Sequence, residues 1–149
     1  MANKNNGISL IGVYKTFGTT EACLNYLEAA RWPEGVRCLA CGSREVSKFI
    51  TNETIREVID EHDEVVRTYR VKPRHLYQCR ACQFQFTATS GTMFHRTHQP
   101  LTIWFRAIAL TANAGECPTA RQLQRQLGIR RYATAWFLKD RIHRAMENP

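Results

Sequence analysis

Cys38-Leu39-Ala40-Cys41-Gly42 and Cys79-Arg80-Ala81-Cys82 repeat one spacing, a pair of thiols held three residues apart, at two distant points of the chain. Each pair suits a tight backbone turn, and two such pairs complete a tetrahedral shell of four sulfurs for one Zn²⁺. A shell closed by four protein ligands leaves no position for water, so the expected role is structural, with no catalytic residue at the metal. Gly42 strengthens the first turn, because a residue without Cβ lets the backbone fold back towards the sulfurs. Gln83 stands at the corresponding place in the second. A disulfide framework is the weaker reading, since paired Cys-x-x-Cys spacing in a chain expected in the cytosol points to metal. Cys23 and Cys117 read as ordinary buried or half-buried thiols. His95 and His98 have no cysteine or carboxylate nearby to complete a second site, and are read as packing or capping residues.

The second chemistry is electrostatic. The chain has 149 residues, 21 Lys and Arg against 13 Asp and Glu, and a formal charge of +8, which favours a polyanionic partner. The charge is unevenly spread: Glu53, Glu57, Asp60, Glu61, Asp63 and Glu64 crowd into one stretch, while from Arg74 to Met146 the acids are only Glu116 and Asp140. The C-terminal half is therefore expected to face phosphates and the acidic stretch to point away from them. Arg130, Arg131, Tyr132 and Thr134 are placed to reach base edges, and Arg121, Arg125, Arg141 and Arg144 to hold phosphates. Trp104, Phe105, Trp136 and Phe137 offer a stacking platform for single strands as one reading, but their helical spacing assigns most of them to a core.

The elements that must position these residues follow from periodicity. Thr19 to Arg31 reads as a helix capped by Thr19 or Thr20, with Leu24 and Leu27 a turn apart, and Trp32-Pro33-Glu34-Gly35 ends it. Glu45–Thr51, Val65–Val71, Leu76–Gln78 and Phe84–Thr87 read as strands, with Asn52–Glu64 left as a solvent-facing excursion. From Pro100 the period becomes helical: Leu101, Trp104, Phe105, Ile108 and Ala112 form one stripe, stopped at Gly115. Thr119 caps a second helix carrying Ala120, Leu123 and Leu127, and Gly128 ends it. A third, from about Tyr132 to Met146, carries Ala135, Leu138, Ile142 and Ala145. A helix, a tight turn at Gly128-Ile129 and a helix with a basic entry match a helix-turn-helix.

Several runs resemble a known family. Phe17-Gly18-Thr19-Thr20-Glu21-Ala22-Cys23-Leu24 and Arg31-Trp32-Pro33-Glu34-Gly35-Val36-Arg37-Cys38 resemble the opening of transposases that begin with a zinc ribbon, the insertion-sequence fifteen-ninety-five family. Phe84 to His95, Thr97-His98, Pro100-Leu101-Thr102, Trp104-Phe105, Leu123 to Gly128 and Arg131 to Trp136 follow in that family's order. The resemblance implies a zinc ribbon and helix-turn-helix that, in the family, precede a ribonuclease-H-like domain whose carboxylates bind two metal ions. It ends at Met146, ahead of where that domain would begin, so no catalytic carboxylate is carried over and the chain is expected to be no enzyme itself.

The expected fold is α+β: a polar N-terminal arm over residues 1–18, a helix plus an antiparallel four-cysteine zinc ribbon over 19–94 with an acidic insertion at about 44–78, and a three-helix helix-turn-helix domain over 95–149. The expected function is sequence-specific binding of double-stranded DNA, at a transposon end or a regulatory site. The rival readings are the DNA-binding subunit of a split transposase and an adaptor between a DNA site and polymerase or another effector. Candidate protein partners are thus a catalytic transposase subunit, the transcription machinery or a second copy in a homodimer. No apolar run is long enough for a membrane span and no signal core is present, which gives a cytoplasmic, nucleoid-associated expectation.

Overall fold

A computed structural model of the chain describes residues 9–148, and these form two compact units. One comprises the residues up to Arg31 and those from Thr89 onward; the other is Trp32–Ala88. The helices are α1 (Leu10–Thr16), α2 (Thr20–Arg31), α3 (Leu101–Ala114), α4 (Ala120–Leu127) and α5 (Tyr132–Glu147). The strands are β1 (Val46–Ile50), β2 (Thr54–Ile59), β3 (Val65–Val71), β4 (His75–Cys79) and β5 (Gln85–Phe86). The architecture is mixed α+β with antiparallel sheets.

All five helices belong to the first unit, and their ends carry the expected chemistry. The Thr19 Oγ1 accepts the Ala22 amide at 3.2 Å at the start of α2. Thr119 and Gln122 form a reciprocal capping box on α4, and Gly115 and Gly128 end α3 and α4 in the left-handed region, at φ 71° and 65°. α3 packs against each of α1, α2, α4 and α5. Its Trp104 is fully buried with Leu123, Leu138 and Cys23, and the indole N–H donates to Thr97 Oγ1 at 2.9 Å, so no polar atom of that ring is left unsatisfied.

The helical unit differs from the sequence reading in three places. Residues 1–8 of the expected arm lie outside the described residues, and residues 10–16 form α1, where Leu10, Val13 and Phe17 share one stripe and Ser9 Oγ caps the first turn at 3.3 Å. Ile11 and Tyr14, exposed beside it, blur that stripe in the sequence. α2 belongs with the C-terminal helices rather than with the ribbon, because Cys23, Leu24 and Leu27 pack into the same core as Trp104. The α3 stripe also sits differently: Ala112 is exposed while Ala107, Ala109 and Thr111 are buried, since a helix packed on several sides buries more than one stripe.

In the second unit β1, β4 and β5 form one antiparallel sheet, with Val46 opposite Cys79, Ile50 opposite His75 and Tyr77 opposite Phe86. Tyr77 and Phe86 stack on it and Trp32 meets both edge-on, with ring centroids 5.4–5.9 Å apart. The segment expected as an acidic insertion over 44–78 resolves more narrowly. β1 and β4 lie inside those bounds, and a backbone bond from Thr51 N to Arg74 O at 3.0 Å closes their pairing. What remains is a hairpin of β2 and β3, a two-stranded sheet of its own with every β2 side chain exposed.

Trp104 and Trp136 should respond very unequally to truncation. Trp104→Ala is expected to lower unfolding free energy by about 3–5 kcal/mol, the cost of a large buried cavity. Trp136→Ala, at a residue 51% exposed, should change it by about 0.5 kcal/mol or less in the same denaturant titration.

Candidate functional site

The four cysteines converge. Cys38 and Cys82 approach to 3.5 Å between sulfurs and Cys41 and Cys79 to 3.6 Å, with all four ligand atoms within 4.8 Å of one another. Tetrahedral Zn–S bonds of about 2.3 Å require sulfur separations of about 3.8 Å, so the set fits a single zinc ion with small adjustments. Two matching knuckles bring this about. In the first, Cys38 N donates to Ser43 O at 2.9 Å and Gly42 N to Cys38 O at 3.0 Å. In the second, Cys79 N donates to Phe84 O at 3.0 Å and Gln83 N to Cys79 O at 3.0 Å. The Ala40 amide also points at Cys38 Sγ, 3.4 Å away, a dipole that favours thiolate.

Gly42 and Gln83 occupy the same left-handed position, at φ 74° and 64°. Gln83 is thus a side chain in a backbone region that glycine enters freely. Its amide offsets part of the strain: the Oε1 accepts Gln78 Nε2 at 2.9 Å and the Nε2 donates to Arg80 O at 3.1 Å. Both bonds are exposed and worth little. Gln83→Gly is therefore expected to stabilise the zinc-loaded chain by about 0.5–1 kcal/mol in a denaturant titration, and a loss of that size would show that the side-chain bonds dominate.

The acidities of the thiols also describe a metal site. Burial resists ionisation of Cys38, but the amides of Cys41 and Ala40 and the thiols of Cys82 and Cys41 bond to its sulfur and hold it down to about 6. The Cys82 amide, bonded to the sulfur of Cys79, in turn lowers that thiol. Cys82 is pushed up to about 12: the Phe84 amide favours its thiolate, while burial and the three neighbouring sulfurs oppose it. Each close sulfur pair thus joins one easily ionised thiol to one that resists, as two groups sharing a proton do. A dication replaces both shared protons and lets all four sulfurs be thiolates. When bound, zinc supplies cross-linking here, and Cys38, Cys41, Cys79 and Cys82 fill its shell.

One zinc per chain is expected in elemental analysis of the purified protein. Because protons compete with the metal for thiolate, zinc should be retained at neutral pH and released as the pH falls. A chelator should collapse the Trp32 environment, since this unit of fewer than about 60 residues has little core of its own. Unchanged Trp32 packing and an unchanged thiol count after chelation would rule the site out.

Net positive charge gathers in the helical unit, because most of the acids lie in the other. Arg121 and Arg125 are exposed on α4, and Arg130 and Arg131 are exposed in the turn that joins it to α5. None of these four makes an ion pair among the described residues. The turn is held by bonds from Ile129 N to Gln124 O at 3.0 Å and from Gln124 Nε2 to Arg130 O at 3.3 Å. Tyr132 is half-exposed at the start of α5, and Thr134 is half-buried in a concavity shared with Ile103, Leu127, Ile129 and Arg130.

Two arginines expected at phosphates are engaged elsewhere. Arg141 Nη1 donates to both Met93 O and His95 O at 2.8 Å, and its guanidinium lies 4.7 Å from the Phe137 ring centre, so it ties α5 to the loop that precedes α3. Arg144 pairs with Asp140 at 3.1 Å on the exposed face of α5. Of the four aromatics whose spacing assigns most to a core, Trp104 is buried, whereas Trp136 and Phe137 are 51% and 37% exposed. A sequence signal for this exists: Ala135, Leu138 and Ile142 define the buried stripe, and Trp136 lies about 100° round the helix from Ala135. Cys23 is buried and its thiol donates to Phe17 O at 3.7 Å; burial raises its pKa and that of Cys117, as suits unreactive thiols.

Four thiols on two knuckles beside a small antiparallel sheet define a zinc ribbon. Residues 18–58 match the family model of the transposase zinc-ribbon domain, which covers α2, the first knuckle, β1 and part of β2. A protein of Halobacterium salinarum, described as an uncharacterized protein in transposable element ISH50, is 27% identical over 135 residues. That alignment takes in 91% of this chain and 38% of the relative, so the chain spans under two-fifths of the relative's length. No solved structure matches. The resemblance to transposases with a zinc ribbon therefore holds, and it points to a transposase-related role in nucleic-acid binding. Among the described residues, no helix is long and apolar enough to cross a membrane.

Proposed function

We infer that the chain is a sequence-specific duplex-DNA-binding protein in which α4, the turn and α5 act as a helix-turn-helix and the zinc ribbon is a structural companion, without catalysis of its own. The observation that carries this is the row of exposed cations Arg121, Arg125, Arg130 and Arg131, without ion pairs among the described residues, around a turn fixed by backbone bonds. In such a motif the N-terminal residues of the second helix enter the major groove. Arg130, Arg131, Tyr132 and Thr134 are the base-reading candidates, and Arg121 and Arg125 the phosphate contacts. The first turn of α5 has no side-chain cap, and such a helix N-terminus favours anions.

A second reading is favoured by the ISH50 relative, of whose length the chain matches 38%. In it, this chain binds transposon ends for a catalytic transposase subunit.

The test is selection of bound sites from random duplex followed by anisotropy titration. Arg130→Ala or Arg131→Ala should weaken the selected site by about 1–3 kcal/mol and relax its sequence preference. Arg121→Ala should weaken all duplexes alike and reduce the salt slope by about 1. Arg141→Ala should instead lower the melting temperature, with affinity retained below it, because its two carbonyl partners are left unsatisfied. Equal affinity for every duplex would overturn the specific reading.

A further inference from the structure

α5 buries one face and leaves the opposite one uncovered. Ala135, Leu138 and Ile142 are at most 2% exposed, and at about 100° per residue their stripe is centred nearly opposite Ala133. Trp136 and Phe137 lie within about 60° of Ala133, on the outward side. Phe137 is held at one flank, its ring 6.4 Å from that of Trp104 and 4.7 Å from the Arg141 guanidinium. Trp136 makes no ring contact, hydrogen bond or ion pair among the described residues. The first two turns of the outward face are thus apolar, led by Ala133 and Trp136. Charge begins there only at Asp140, which Arg144 neutralises at 3.1 Å.

The surroundings of this face select what covers it. Arg130 and Arg131 stand exposed at its entry and Arg121 and Arg125 on the adjoining α4, without ion pairs among the described residues. An apolar protein surface would leave these cations unmatched, whereas duplex DNA offers phosphates to the cations and base edges to the face between them. In the major groove only thymine carries an apolar group, its 5-methyl, and beside it the acceptor O4. The indole of Trp136 offers an apolar ring and one N–H donor, with no acceptor. That combination matches thymine. Cytosine presents a donor there, which an indole cannot meet, and the two acceptors of guanine suit arginine better.

We propose that Trp136, with Ala133 beside it, reads the 5-methyl group of a thymine in the major groove, so that the bound site contains a thymine recognised through that group. The proposal rests on the DNA reading of α4 and α5, and adds to it a specificity-determining residue and the base it selects.

The test uses the full zinc-loaded chain and the duplex selected from random sequence. Each thymine is replaced in turn by deoxyuridine, which keeps the base pair and O4 and removes only the methyl group. At one or two positions the native chain should lose about fourfold in affinity, the contribution of one buried methyl group. Trp136→Ala should weaken the selected duplex about tenfold, leave unrelated duplex unchanged, and bind the thymine and uracil forms alike. Arg121→Ala, at a phosphate contact, should weaken both forms equally and keep the fourfold difference between them. A selection that yields no site removes the DNA reading and the proposal together. A selected site that lacks thymine, tolerates uracil at every thymine, or shows the same methyl effect in Trp136→Ala overturns the proposal and leaves that reading standing. Tighter binding of a single strand than of its duplex, lost in Trp136→Ala, also overturns it and assigns the indole to base stacking.

Discussion

Two knuckles separated by most of the second unit's length have to bring four sulfurs within 4.8 Å of one another, and most of that unit's shape follows from doing so. Its apolar interior is little more than Trp32, Tyr77 and Phe86 beside the buried Cys38 and Cys79. A core of that size cannot hold fewer than about 60 residues against chain entropy, and a structural zinc supplies the missing cross-link. The strands are ordered by the same demand. β4 runs directly into Cys79, so its register with β1 at Val46 places the second knuckle beside the first.

The knuckles show how backbone conformation is selected by a shared task rather than by residue type. Gly42 and Gln83 adopt one conformation because each follows a Cys-x-x-Cys turn whose amides must face sulfur. In the first knuckle the sequence meets that demand with glycine at no steric cost. In the second it accepts strain and offsets it locally with the Gln83 amide. The thiol acidities express the same convergence: sulfurs this close cannot all ionise without a cation between them.

Much of this was legible in the sequence because it is local. Cysteine spacing names the four ligands, the Thr119 and Gly128 signals bound α4, and the alternation of β3 reproduces Val65–Val71 to the residue. What was not legible depends on partners distant in the chain. α2 follows the helical core because Cys23 meets Trp104, a contact that no local pattern encodes. Arg141 looks like any other basic residue on an exposed helix until Met93 O and His95 O are seen beneath it. β2 was obscured by its charges, since alternation is masked when both faces of a strand meet solvent.

Arg141 also sharpens what a basic helix means. Net positive charge on a surface establishes a long-range field but assigns no individual contact. A guanidinium whose Nη1 already donates to two carbonyls is held where those carbonyls put it, whereas Arg130 and Arg131 have no partner carboxylate among the described residues. The fixed turn matters for the same reason. Bonds from Ile129 N and Gln124 Nε2 hold the backbone beneath those two arginines, so less ordering remains to be done when a ligand binds. On the proposed DNA reading, discrimination between sequences would depend on that backbone order, because base contacts carry sequence information and phosphate contacts do not.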